Sequence, residues 1–230
     1  MKRFWTAARA VESGAGWGVE LDGRTLRTPG RVALTMPTLA LAEAVAAEWT
    51  ASGETIDPRA MPLTGLANAA VDRVAPDATG FARGLAKYAE ADLFCYRAEG
   101  PAKLVLRQVQ QWDPLLAWAR QRYAVDFVVT DAIVHVGQPR ATVARLGQAV
   151  AVLDVYRLAA LAPLVTIGGS LVAALAVVEE AAPLDAIWEA VSLDERWQIE
   201  QWGDDAEAVA SLANRRADFA AAARFLSLLG

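Results

Sequence analysis

Between residues 184 and 207 the chain sets eight carboxylates against a single arginine, Arg196. Three of its eight tryptophans, Trp188, Trp197 and Trp202, lie in the same stretch. One cation against eight anions gives −7, more than the −5 of the whole protein. The chemistry such a set supports is recognition. Tryptophan supplies contact area and an N–H donor and is enriched at binding hot spots, while carboxylates steer a partner and fix its register. The same residues also fit a packing reading, in which the rings enter a core and the acids form a solvated face or cap helices.

The spacing assigns local roles to some of these acids. Leu184, Trp188, Val191, Glu195, Ile199 and Trp202 follow one another in steps of three and four, so Glu195 falls on an apolar stripe, where an unpaired carboxylate is costly. Ser192-Leu193-Asp194-Glu195 has the spacing of a capping box; if the helix breaks at Ser192, Glu195 binds backbone. Gly203 then ends the helix, Asp204 caps the next one, and Glu207 completes a second box. Asp185, Glu189, Asp194, Glu200 and Asp205 are left over. Glu200 has the least structural role. Its one helical neighbour of opposite charge, Arg196, gives the weaker order of pairing, worth ~0.3–0.5 kcal/mol. Beside Glu200 stand Gln198, Gln201 and Trp202, a set able to hydrogen-bond a partner's backbone or arginine.

Catalysis has little to draw on. His135 is the only histidine, so a multi-histidine metal site or a standard Cys/His zinc site cannot be built within one chain. It sits in Ile133-Val134-His135-Val136, which reads as a short strand with a structural histidine. Cys95 is the only cysteine, which excludes an internal disulfide, and no His or Lys lies close in sequence to activate it. Lysine occurs only at positions 2, 87 and 103, none placed as a P-loop requires. Gly14-Ala15-Gly16-Trp17-Gly18 precedes a strand and reads as a turn rather than a dinucleotide fingerprint. No nucleophile elbow is present. No metal and no cofactor are expected. A rival of another class is a small-molecule binder or carboxylate-based enzyme using Asp92, Tyr96, Arg97 and the cluster at 198–201, because carboxylates with pKa values pushed apart can do acid–base work. In that reading Asp92 pairs with Arg97.

The elements that position these residues follow from patterning. Hydrophobic content of 55% and charged content of 21% give ample core and argue against disorder. A pI near 5.0 argues against nucleic acid as the main partner. The start, MKRFW, has no apolar signal core behind it, and with one cysteine the cytoplasm is the expected location. Residues 158–178 carry no charge, a length that could span a bilayer. Pro163, Thr166, Gly168, Gly169 and Ser170 interrupt the run, so two buried helical pieces around a bend are expected, without stable membrane insertion. Trp17, Val19 and Leu21 alternate into an Asp22-Gly23 hairpin turn, followed by a return strand to Thr28, a turn at Thr28-Pro29-Gly30 and a third strand at 32–34. A helix starts near Thr38 and stops near Gly53. Helices are expected near 62–75, 79–91, 101–124, 140–160, 164–180, 184–202 and 204–228, with two β-like runs within 127–138. The fold class is α+β: a small antiparallel β-rich amino-terminal domain with one helix, 1–57, then a larger, mainly α-helical domain, 58–230.

Several ordered motifs resemble the ATP-twelve chaperones, assembly factors for the catalytic head of ATP synthase. They are Glu48-Trp49, Gly53-Glu54, Ile56-Asp57-Pro58, Met61-Pro62-Leu63-Thr64, Leu66-Ala67-Asn68 and Asp72. Leu21-Asp22-Gly23-Arg24, Tyr88 with Asp92-Leu93 and Cys95-Tyr96-Arg97, Trp112-Asp113-Pro114-Leu115-Leu116, and Asp194-Glu195 with Gln198-Ile199-Glu200-Gln201-Trp202-Gly203 extend the match. The resemblance covers about residues 2–225 and is weakest over 127–168. It implies a non-enzymatic chaperone, a monomer when free, that binds the unassembled alpha subunit of ATP synthase and shields its subunit interface. The absence of a transit peptide fits a bacterial member. Partner-binding residues implied or favoured are Glu200, Trp202, Gln198, Gln201, Asp194 and Glu195. Glu48 and Trp49 join them, although Trp49 also follows the stripe of Leu41 and Val45 and fits a packing role.

Overall fold

The hairpin turn at Asp22-Gly23 has φ of 48° and 80°, both positive, as a two-residue type I′ connection requires. In the computed structural model, which describes residues 2–14, 16–132, 134–203 and 205–230, this turn joins β2 (Gly16–Leu21) to β3 (Arg24–Thr25). Strand β2 also pairs antiparallel with β1 (Ala8–Ser13), in the register Ala10↔Val19, and with β4 (Thr35–Met36), in the register Trp17↔Met36. A Cβ on Gly16 would lie 2.4 Å from the Met36 carbonyl oxygen, so the close approach of β4 demands glycine there. Strand β1 was not expected. Its Ala8-Arg9-Ala10 run alternates in burial, yet alanine is a poor strand former and leaves little signal in the sequence. The third strand expected at 32–34 makes one bridge, Arg27↔Ala33, and the ladder resumes at Thr35.

Helix α1 (Leu39–Ala51) begins where Thr38 Oγ1 accepts the Leu41 amide at 3.2 Å. It buries Leu41, Ala42, Val45, Ala46 and Trp49 in a cluster with Trp5, Val19, Leu21, Leu34, Met36, Met61 and Leu63. Helix α2 (Pro62–Ala69) follows. The first compact unit runs to Ala78 and also takes 154–160 and 221–230. Ala160, Phe225 and Leu229 enter its core, Tyr156 O–H donates to Thr35 O, and Thr38 Oγ1 donates to Leu228 O at 2.6 Å. The expected boundary at 57/58 falls inside this unit.

The second unit, 79–153 with 161–220, is helical. It draws on α3 (Ala78–Ala86), α4 (Ala102–Tyr123), α5 (Arg140–Ala151), α6 (Val155–Gly168), α7 (Leu171–Val178), α8 (Leu184–Val191), α9 (Leu193–Trp202) and α10 (Ala206–Ser227). Its core holds Phe94, Trp112, Leu116, Leu146, Leu164 and Phe219. Trp112 packs on Phe94, ring centroids 5.5 Å apart, and its indole donates to Ala190 O at 2.7 Å.

Several helix bounds shift. The helix expected over 140–160 breaks after Ala151, because Asp154 Oδ1 accepts the amides of Tyr156 and Arg157 at 2.9 and 3.0 Å and starts α6. The charge-free run forms two helical pieces around a bend, as expected, but the bend falls inside the helix expected over 164–180: Gly169 has φ 64° and Ser170 Oγ accepts the Ala173 amide at 2.9 Å, capping α7. Among the described residues no helix is long and apolar enough to cross a membrane. The β-like runs of 127–138 form no strand among the described residues, and Ile133 lies outside them. Gln138 takes the place of a neighbouring strand: its Oε1 accepts the Val128 amide at 3.0 Å and its Nε2 donates to Val128 O at 2.8 Å. His135 therefore lies on an irregular segment, 3.0 Å from the Tyr96 hydroxyl through Nδ1.

Candidate functional site

The acidic stretch folds as α8, α9 and the start of α10, so the helix expected over 184–202 is broken at Ser192. The capping box does not form. Ser192 Oγ donates to Trp188 O at 2.7 Å, and Glu195 pairs with Arg215 of α10. A guanidinium from a distant helix competes better for the carboxylate than a single amide does, since a bond between two charged groups is the stronger one. Gly203 ends α9 at φ 91°. The cap assigned to Asp204 lies outside the described residues. Asp205 Oδ1 accepts the Glu207 amide at 2.9 Å, so Glu207 contributes its backbone at this end of α10.

The three tryptophans divide. Trp188 is buried against Phe219 at 5.5 Å. Trp197 is buried, with the Arg107 guanidinium 4.9 Å from its ring centroid. Trp202 is 81% exposed at the carboxy-terminal end of α9, where Gln198, Glu200 and Gln201 are exposed as well. The packing reading thus holds for Trp188 and Trp197, and Trp202 is left exposed.

Glu200 is not unpartnered. Arg107 of α4 reaches it at 2.7 Å, each side chain a little over two-fifths exposed. Half-buried Asp194 accepts from Gln108 Nε2 at 2.8 Å, and desolvation holds its carboxyl above the usual range. Gln108 is itself buried, with Oε1 accepting the Ala98 amide at 2.9 Å. Asp185 pairs with Arg216 at 2.9 Å. Arg107, Gln108, Arg215 and Arg216 are the residues that sequence reasoning missed. The available signal was Gln108, a polar residue on the buried face that Leu104, Trp112 and Leu115 mark along α4, with Arg107 beside it.

Helix α9 has a cavity on each of two sides. One, of about 350 Å³, is lined by Arg107, Gln111, Glu189, Arg196 and Glu200, among others; Gln111 Oε1 and Arg196 Nε are buried there without a partner among the described residues. The other, of about 600 Å³, is lined by Glu195, Gln198, Ile199 and Trp202 with residues of α10.

Glu48 and Trp49 stand in the first unit. The Glu48 carboxylate accepts the amides of Leu63 and Thr64, both at 2.8 Å, and the Thr64 hydroxyl at 2.7 Å. It satisfies the free N–H groups at the start of α2, the work of a helix cap supplied from another element. Trp49 is buried, tilted against Trp5 with centroids 5.0 Å apart.

The carboxylate-enzyme set does not assemble as read. Asp92 is fully buried and accepts the amides of Phe94 at 3.0 Å and Val172 at 2.9 Å, at the start of α7. Burial, opposed by these bonds, raises its carboxyl to about 6. Arg97 pairs instead with Asp113 at 2.6 Å, since the Asp92 oxygens are already occupied. Cys95 is buried, and its thiol is pushed up to about 12, chiefly by desolvation, which leaves it a poor nucleophile. Among the described residues no cluster of His, Cys, Asp and Glu could hold a metal ion.

Residues 2–120 match the family model described as ATP12 chaperone protein, a span that includes Glu48, Trp49 and Arg107 but not α9. Over the full chain, the structure is similar to the crystal structure of Atp12 from Paracoccus denitrificans, with 41% identity, 98% of that chain covered and a TM-score of 0.94. A point mutant of the same Paracoccus protein gives the same values. The Atu1473 protein from Agrobacterium tumefaciens matches at 35% identity, with 100% of this chain and 86% of that one covered and a TM-score of 0.95. With half of the sequence in the family model and the whole fold shared with Paracoccus Atp12, the chain belongs to the ATP12 chaperone family.

Proposed function

We propose that this chaperone binds the unassembled alpha subunit of ATP synthase and covers its subunit interface until the alternating alpha/beta head forms. The observation that carries the reading is Trp202, 81% exposed beside the exposed side chains of Gln198, Glu200 and Gln201. A large ring left in water next to charge is the pattern of a binding surface. Half-buried Asp194, tied to Gln108, stands behind it, and Glu195, paired with Arg215 on the groove beside Trp202, holds α9 to α10. Glu48 and Trp49 act at one remove, by holding the first unit together.

The physical chemistry suits the task. A free alpha subunit exposes an apolar interface and is prone to aggregate. Its chaperone must associate quickly and then yield to beta. A charged surface raises the association rate more than the final affinity, and the larger apolar interface with beta wins on area. The experiment is a pull-down with the tagged chain, wild type beside Glu200→Lys, probed for alpha and beta. Alpha captured without beta, and lost in the variant, is the expected result. Absence of alpha from the wild-type capture, with alpha abundant in the lysate, overturns the reading.

A further inference from the structure

Helix α10 leaves its first turns uncovered. Every residue over 205–211 is exposed, Val209 by 41%, although helices in water owe most of their stability to one packed face. With α9 this segment encloses the larger groove, of about 600 Å³. Ile199, Trp202 and Leu212 supply its apolar lining.

The polar groups around that lining specify an occupant. Arg215 lines the groove and is already paired with Glu195. Asp205 also lines it and meets no cation among the described residues. The groove is therefore net acidic, within a segment of net charge −7. Arg215 Nε is buried without an acceptor among the described residues, and a buried N–H in that condition gains from any carbonyl brought to it.

We infer that the groove takes a segment of the client protein in which large apolar side chains are flanked by lysine or arginine. The apolar groups fill the space between Ile199, Trp202 and Leu212, the cation meets Asp205, and a backbone carbonyl of the segment accepts from Arg215 Nε. A lipid tail would leave that N–H unmet. A second copy of this chain would bring its own acidic strip against this one, and like charges oppose that. The inference rests on the client-binding reading above.

The test places the photoreactive residue benzoylphenylalanine at Ser211, exposed on the groove wall, in the full chain, and irradiates it with purified ATP synthase alpha subunit. The expected product is a cross-link to an apolar segment of alpha bordered by lysine or arginine. In parallel, Ser211→Trp, which fills the groove, weakens alpha binding about tenfold or more with unchanged thermal unfolding. Gln198→Lys, which brings a cation to the same groove from α9, is the second variant should Ser211→Trp fold poorly, and it weakens binding likewise. Normal alpha binding without a cross-link, or a cross-link to an acidic segment or to another copy of this chain, overturns the groove assignment and leaves the client reading standing. Failure of the wild-type chain to bind alpha removes both.

Discussion

Asp92 and Glu200 belong to the same helical unit, yet one carboxylate is fully buried among backbone amides and the other is nearly half exposed beside one guanidinium. At Asp92 the bonds to Phe94 and Val172, with Ser170 and Leu171 also contributing, oppose a large desolvation penalty. These bonds join the 92–95 turn to the start of α7. At Glu200 the ion pair with Arg107 is exposed, and such pairs contribute only ~0–1 kcal/mol. An acid in that position does little for the fold, and its exposed pair can be exchanged for one with a partner at small cost. The difference teaches how to sort the acids of this chain: buried oxygens that accept amides build structure, and exposed oxygens beside an uncovered ring are available for recognition.

Substitutions can break this division. The largest stability effect is expected for Asp92→Ala, which strands buried amides and should cost about 3 kcal/mol in urea unfolding. A loss below about 1 kcal/mol would show that water or neighbouring groups replace the carboxylate. The next effect is on pH dependence. Burial raises the Asp92 carboxyl from 3.8 to about 6, so the folded state holds its proton more tightly than the unfolded chain. The stability gained from this is complete below about 3.8 and is lost as pH rises through about 6. Asp92→Asn cannot ionise, so the stability difference between wild type and this variant should change by about 2–3 kcal/mol between pH 4 and 7. A constant difference across that range would mean the carboxyl titrates in its ordinary range.

Glu48→Ala comes third. It uncaps α2 at Leu63 and Thr64, with an expected loss of about 1–2 kcal/mol. The smallest stability effect is at Trp202. Being 81% exposed, it should tolerate alanine within about 0.5 kcal/mol, while alpha-subunit affinity falls about tenfold or more. A large stability loss at Trp202 would place it with the structural residues and erase the contrast.

Much of the architecture was legible because the signals were local. Asp22-Gly23 gave the hairpin, Gly203 gave the end of α9, and the glycines and proline within 158–178 gave two helical pieces, though not the place of the bend between them. Strand β1 was hidden by alanine, and the ladder at 127–138 failed because the Gln138 side chain satisfies Val128. The site was legible in composition but not in pairing. Glu195 was assigned to a capping box and Glu200 to no strong partner, because Arg215 and Arg107 come from other helices, 20 and 93 positions away. No periodicity in a single segment reports such contacts. The division of Trp188, Trp197 and Trp202 into two buried rings and one exposed ring likewise depends on Phe219 and Arg107.

The most direct test of the central claim is calorimetric titration of the purified chain with isolated alpha and beta subunits, for wild type and Glu200→Lys, with thermal unfolding of both forms recorded alongside. Saturable binding of alpha but not beta, weakened about tenfold or more in the variant at an unchanged melting temperature, is the result this account requires. Absence of alpha binding would contradict the client assignment. Equal affinity of the two forms for alpha would contradict the assignment of α9 as the surface that meets it.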